Sequence, residues 1–96
     1  MTNSSPLLNE RALSKLKWRC RRGLLENDLF LARFFAKHES GLTEDMATGL
    51  EILMDLSDND LLDLFLGRKE PEAGLTRPEV QQVLRLVRAT KADSNI

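Results

Sequence analysis

Trp18-Arg19-Cys20-Arg21-Arg22-Gly23-Leu24-Leu25-Glu26 brings three arginines, a glycine and a carboxylate into one short stretch. Upstream of it, Leu13, Leu16 and Cys20 fall at i, i+3 and i+7, the spacing of one helix face. Downstream, Leu25, Leu29, Phe30, Leu31, Phe34 and Phe35 cover more than one stripe of a second helix, which makes that helix central. Gly23 is the residue type that ends a helix in a left-handed turn. Arg21 and Arg22 then fall in the last turn of the first helix, and Glu26 and Asp28 near the start of the second. Both placements complement the helix dipoles. The junction should hold a guanidinium and a carboxylate close together on the outside of a small domain. No reaction needs such a pair, but a surface that must be recognised does.

Outside this junction the chain also reads as helical. Tyrosine is absent, valine is confined to Val80, Val83 and Val87, and leucine dominates. No strand-like alternation persists. Asn9 can cap the first helix, with Glu10 in its first turn. The second helix runs from about Leu24 to His38 and is closed by Ser40-Gly41. Thr43 caps a third helix carrying Met46, Leu50, Leu53 and Met54. Ser57 with Asp60 resembles a capping box for a short fourth helix, with Leu61, Leu62, Phe65 and Leu66 as its apolar positions. Gly67 to Gly74, containing Pro71, reads as a loop. Thr76 with Glu79 forms a capping box, and Val80, Val83, Leu84 and Val87 give the stripe of a fifth helix. The expected fold is all-α, a compact five-helix bundle with short connections. The domain spans 9–90, between a flexible N-terminal segment 1–8 and a flexible tail 91–96.

A chain of 96 residues makes one domain. With 42% hydrophobic and 30% charged residues it is globular rather than disordered. One cysteine excludes an internal disulfide, and a reducing cytosol is the simplest home. No apolar run approaches the ~20 residues of a membrane span. Met1 to Pro6 lacks both the pattern of a signal peptide and the arginines of a transit peptide, so a cytoplasmic protein without membrane insertion is expected. The net charge of −1 hides an asymmetry: Arg11 to Arg22 holds six bases and no acid, and Glu39 to Asp63 eight acids and no base. These regions either pair within the fold or present two faces of opposite sign. The pI of 5.8 argues against a general nucleic-acid binder.

Catalytic and metal chemistry find little support. Cys20 and His38, the single thiol and the single imidazole, lie on different helices with no third group to orient them. Cys20 reads as a small core residue and His38 as a helix-end residue. The acids of Glu39 to Asp63 lack calcium-loop spacing, and the scattered glycines make no phosphate loop. Trp18 stands roughly 200° round the helix from Leu16, so it either packs on a later segment or lies exposed as an interface anchor. Arg22 and Glu26 by themselves fit two descriptions, dipole-complementing charges and a docking pair.

Trp18-x-Cys20-Arg21-Arg22-Gly23-x-x-Glu26-x-Asp28, followed by Phe34-Phe35, resembles the FAD assembly factors of succinate dehydrogenase. These are small all-helical proteins, called SdhE in bacteria, with mitochondrial relatives. Arg22, Gly23 and Glu26 match the family's Arg-Gly-x-x-Glu element, and the similarity extends more loosely from Leu13 to Val87. Two departures stand out. Leu62-Asp63-Leu64-Phe65 replaces a Phe-x-Trp-Leu-like segment, and Asn27 follows Glu26 where the family usually has an apolar residue. The resemblance implies a bacterial protein that binds the flavoprotein subunit of succinate dehydrogenase, and that of fumarate reductase, and promotes covalent FAD attachment to it. Arg22 and Glu26 would make charge-assisted hydrogen bonds to the partner, and Gly23 would let the two backbones approach. Trp18, Arg19, Arg21 and Asp28 would complete the contact. The chain would act as a monomer, with no catalytic residue and no stably bound cofactor. The rival readings are a helical interaction module of another complex, a DNA-binding helical domain and a small enzyme.

Overall fold

The computed structural model describes residues 6–21, 23–72 and 75–93, the last three by their backbone only. Five helices follow in order: α1 (Glu10–Arg19), α2 (Leu25–His38), α3 (Glu44–Met54), α4 (Asp58–Leu66) and α5 (Pro78–Asp93), with a 3-10 turn at Glu39–Gly41 after α2. Three of the caps are those the sequence announces. Asn9 Oδ1 accepts from Ala12 N–H at 2.8 Å, Thr43 Oγ1 from Met46 N–H at 3.2 Å and Ser57 Oγ from Asp60 N–H at 3.2 Å. Each satisfies an N–H that the helix itself leaves open. The fifth helix departs from expectation. It opens at Pro78, whose fixed φ and missing N–H suit a first helical position, and Arg77 rather than Thr76 precedes it. Its backbone also stays helical to Asp93, past the 91 at which the tail was expected to begin.

Residues 6–8 fall in the segment expected to be flexible, and they are paired. Leu7 forms an isolated antiparallel bridge with Thr43, Leu8 N–H donates to Leu42 C=O at 2.9 Å, and Glu44 N–H donates to Pro6 C=O at 2.9 Å. This pairing seats the start of α1 beside the start of α3.

The core is one cluster. Phe30, Leu31, Phe34 and Phe35 of α2 meet Leu50 and Leu53 of α3, Leu61, Leu64 and Phe65 of α4, and Val80, Val83, Leu84 and Val87 of α5. The Phe30 and Phe65 rings lie 5.3 Å apart, and Phe34 and Phe35 meet edge to face at 5.5 Å. Within α4 the buried positions are Leu61, Leu64 and Phe65, while Leu62 and Leu66 are half-buried. The expected stripe of Leu61, Leu62, Phe65 and Leu66 is therefore corrected by a small rotation of the helix toward Leu64. The packing of α3 on α5 leaves no room for a side chain at one position. Gly49 is buried there, and a Cβ on it would lie 2.5 Å from the carbonyl oxygen of Glu79.

The C-terminus of α4 is closed twice. Gly67 adopts φ 79°, and Arg68 N–H returns to Asp63 C=O at 2.8 Å. Arg88 of α5 then donates from Nε and one terminal nitrogen to Leu64 C=O, at 2.9 and 2.6 Å, and its other nitrogen lies 3.3 Å from Glu70. A half-buried guanidinium on a helix-end carbonyl is a charge-assisted bond, and Arg88→Ala is expected to cost about 1.5–3 kcal/mol. Thermal unfolding followed by circular dichroism should show a melting temperature lower by about 10 °C. Lysine at 88 should recover only part, since one ammonium cannot reproduce the planar fork.

Candidate partner-docking site

The corner between α1 and α2 is built as follows. Cys20 is the last capped residue of α1, its N–H donating to Leu16 C=O at 2.9 Å, and Arg21 N–H closes the turn on Trp18 C=O at 3.2 Å. Lys17 and Arg19 occupy the last turn of α1, so Arg21 lies just beyond the helix and not inside it as expected. Arg22 falls outside the described residues. Leu24 is extended (φ −83°, ψ 122°) and leads into α2, where Asp28 N–H donates to Leu24 C=O at 3.1 Å. Gly23 does not supply the expected left-handed turn; among the described glycines only Gly67 does. The extended Leu24 carries the change of direction instead.

Leu16 and Cys20 are buried, as their spacing required, and this turns Trp18 outward with 73% of its surface exposed. The Arg21 guanidinium carbon lies 5.4 Å from the centre of the Trp18 ring system, a cation–π arrangement worth about 0.5–1 kcal/mol at an exposed site. Trp18, Arg21, Asp28, Ala32 and Phe35 line an open groove of about 680 Å³ between α1 and α2. Glu26 is exposed on the first turn of α2. Gly23 is exposed too, and a Cβ there would meet only Asp58 Oδ2, at 3.9 Å, an ordinary contact. The fold thus leaves room for a side chain at 23.

Arg19 turns the other way. Its guanidinium pairs with Asp55 after α3 at 3.2 Å, and Lys17 pairs with Glu39 at 2.7 Å. The basic and acidic regions of the sequence therefore pair in part within the fold. Both bridges are exposed and worth under about 1 kcal/mol each. Trp18, Arg21 and Asp28 thus share a groove, Gly23 and Glu26 lie on the exposed corner beside it, and Arg19 faces α3.

Three residues near the corner were misplaced or missed. Leu25 and Leu29 were expected to be core residues, but they are 67% and 45% exposed. They continue with exposed Ala32 and Ala36 along one side of α2. The wide apolar arc of α2 signalled more nonpolar surface than its neighbours cover. Asn27 is the reverse case, a polar residue fully buried on the core side. Its signal was a helix periodicity that places it with Phe30, Leu31 and Phe34, three, four and seven residues on.

Elsewhere, Cys20 is a buried thiol, and His38 is partly buried with its ring 5.1 Å from that of Phe34. That burial, and next the charge of Lys37, pulls the imidazole below its ordinary pKa. Among the described residues no group of three or more His, Cys, Asp or Glu is placed to hold a metal ion. No described helix is long and apolar enough to cross a membrane.

An exposed indole, an arginine and carboxylates gather at one helix corner of this small helical protein, and tryptophan and arginine are the residue types that most often anchor protein interfaces. The chain belongs to the family described as the flavinator of succinate dehydrogenase, whose model matches residues 14–91. It is 53% identical over 76 residues to the FAD assembly factor SdhE of Ralstonia nicotianae, covering 79% of this chain and 80% of the relative. With the FAD assembly factor SdhE of Legionella pneumophila (strain Lens) the identity is 38% over 68 residues, 71% of this chain and 86% of the relative. With that of Coxiella burnetii it is 33% over 75 residues, 78% and 92%. No solved structure matches the chain significantly.

Proposed function

We propose that this protein is an assembly factor that docks through its α1–α2 corner on the flavoprotein subunit of succinate dehydrogenase and promotes covalent attachment of FAD there. The observation that carries this is Gly23. The domain's own packing tolerates a side chain at that position, yet glycine stands there, on the surface, between the Trp18–Arg21 pair and Glu26. A glycine the fold does not need is explained by a partner backbone that must come close. Membership of the flavinator family supplies the partner.

The chemistry then belongs to the flavoprotein, with FAD as substrate of the attachment. Negative charge develops on the flavin ring as the bond to the protein forms. By favouring the subunit conformation in which flavin and acceptor residue are aligned, this chain raises the rate without a nucleophile of its own. Arginines of the corner add electrostatic stabilisation where they approach the ring. The protein acts as a cytoplasmic monomer, is not itself an enzyme, holds no cofactor between cycles and serves the fumarate reductase flavoprotein as well.

The test is reconstitution. Purified apo-flavoprotein subunit, FAD and this protein are incubated, and flavin fluorescence of the denatured subunit is read on a gel. Covalent flavin should accumulate faster with the protein than without it; equal rates, with no capture of the subunit in a pull-down, would leave only an interaction module for some other complex. In the same assay Gly23→Ala should keep the wild-type melting temperature and lose no more than about threefold in rate, whereas Gly23→Arg, equally folded, should lose more than about tenfold because bulk prevents the approach. Equal tolerance of both would rule out a backbone contact at this position.

A further inference from the structure

The side of α2 that faces away from the core is apolar and self-complementary. Leu25, Leu29, Ala32 and Ala36 are all exposed, Leu25 and Leu29 by 67% and 45%. Their spacing of four, three and four residues is that of a coiled-coil seam, and at ~100° per residue they share an arc of about 60°. Phe30, Leu31, Phe34 and Phe35 occupy the opposite side and are buried. From Leu25 to Ala36 the seam runs about 17 Å, long enough for a second helix to lie along it. Ala32 and Ala36 also line the groove of about 680 Å³ that Trp18 edges, so a helix placed there would meet the indole as well.

The order of residues along this side selects the helix that fits. Large residues stand in its N-terminal half and small ones in its C-terminal half. Turned end for end about an axis between residues 30 and 31, a second copy of α2 sets its Ala32 level with Leu29 and its Ala36 level with Leu25. Each leucine then lies over an alanine, and the two helices stay evenly spaced. Exposed Glu26, Arg33 and Lys37 lie within about 40° of one another on one shoulder of the seam. In an antiparallel pair like shoulders meet, so Glu26 comes level with the stretch between Arg33 and Lys37 of the second copy. The twofold axis makes each of these contacts twice. A parallel pair would stack leucine on leucine at one end and alanine on alanine at the other, and it would align the two helix dipoles.

We infer that this side of α2 is a contact between two copies of the chain, paired antiparallel. One helix pair covers less than the ~1,200 Å² at which specific association becomes stable, so the dimer is weak, half-formed at about 0.1–1 mM. Pairing also covers Glu26, close to Gly23. That consequence rests on the docking function proposed above: the dimer is closed to the flavoprotein, and the acting form is the monomer. The pairing itself rests on α2 alone.

Sedimentation equilibrium of the full chain, from about 20 µM to about 2 mM at low salt, reads the association. The average mass should rise from that of one chain, 10.9 kDa, toward twice that value. Ala32→Glu sets a carboxylate at the centre of the seam; it should stay monomeric and melt within about 4 °C of wild type. Glu26→Lys and Arg33→Glu should each associate about tenfold more weakly, and a mixture of the two should regain the wild-type strength. When Leu25→Cys and Ala36→Cys proteins are mixed and oxidised, the disulfide should join 25 to 36 rather than 25 to 25. A wild-type chain that stays monomeric at the highest concentration overturns the inference. So does a mixture that fails to recover, a 25-to-25 disulfide, or association that Ala32→Glu leaves unchanged. If the chain is monomeric and a folded Arg33→Glu protein loses capture of the apo-flavoprotein subunit, the occupant is the flavoprotein instead. Where the dimer is found, an equal amount of that subunit should convert it to one-to-one complexes; complexes holding two copies would overturn the closure. A Glu26→Ala protein that flavinylates at the wild-type rate, with the wild-type dimer standing, faults only the docking reading.

Discussion

Alanine at Glu26 or at Arg22 is expected to reduce covalent flavin incorporation by about 30-fold or more, and at Glu26 it should leave the melting temperature within about 4 °C of wild type. The magnitude follows from the kind of contact. Removing one partner of a charge-assisted hydrogen bond from a desolvated interface costs about 2–5 kcal/mol, and each 1.4 kcal/mol is tenfold in binding. The unchanged stability follows for Glu26 from its exposure on the first turn of α2, where replacement stays within about 0.5 kcal/mol. In-gel fluorescence of the flavoprotein gives the first quantity and a circular-dichroism melt the second. Raising the concentration of the Glu26→Ala protein should recover part of the rate, because the defect lies in docking. Arg19→Ala should cost much less than either, since the Arg19 guanidinium is already engaged by Asp55 on the side facing α3. A Glu26→Ala protein that flavinylates at the wild-type rate would remove the corner from the mechanism.

The second large effect concerns the fold. Gly49→Ala should lower stability by about 2 kcal/mol or more, although alanine is the better helix former by about 1 kcal/mol. A Cβ at 49 would sit 2.5 Å from the Glu79 carbonyl oxygen and 2.8 Å from its carbon, both backbone atoms at the start of α5. No rotamer change relieves such a clash, so α3 and α5 must separate. Separation loosens the packing of Leu50, Leu53, Val80 and Val83, all of them fully buried. The steric term therefore outweighs the propensity gain, and the melting temperature should fall by about 10 °C or more. Gly41→Ala is the control: nothing lies within 4 Å of a Cβ there, and its melt should match wild type. If Gly49→Ala melts alongside that control, the two helices do not approach as described.

Much of the architecture was legible before any coordinates. Helix starts carry local chemistry, and Asn9, Thr43 and Ser57 cap where their oxygens can reach an N–H three residues on. The α5 stripe of Val80, Val83, Leu84 and Val87 is wholly core because 3.6-residue periodicity leaves those positions on one face. The exposure of Trp18 was one of two outcomes left open by its angle from Leu16, and burial of Leu16 and Cys20 decided it.

Other features resisted for a common reason. Periodicity gives the angle of a residue around its helix, but not how wide an arc the neighbouring helices cover. On α2 the covered arc takes in Asn27 and leaves out Leu25 and Leu29, the opposite of what polarity suggests. Glycines were ambiguous in the same way. Gly23 was expected to be left-handed and is not, Gly67 is, and Gly49 marks a helix crossing that no local pattern announces.

By itself, then, the order of residues determined the helices, three of their caps, the angle of each apolar residue around its helix and the Arg22-Gly23-x-x-Glu26 element, because each depends on groups within a turn or two of one another. Only the tertiary structure decided that Arg19 is drawn to Asp55, that Asn27 is locked to Asp58 and that Gly49 admits the start of α5. Those outcomes join groups some 30 residues apart. They are set by how five helices share one core, which no single helix encodes.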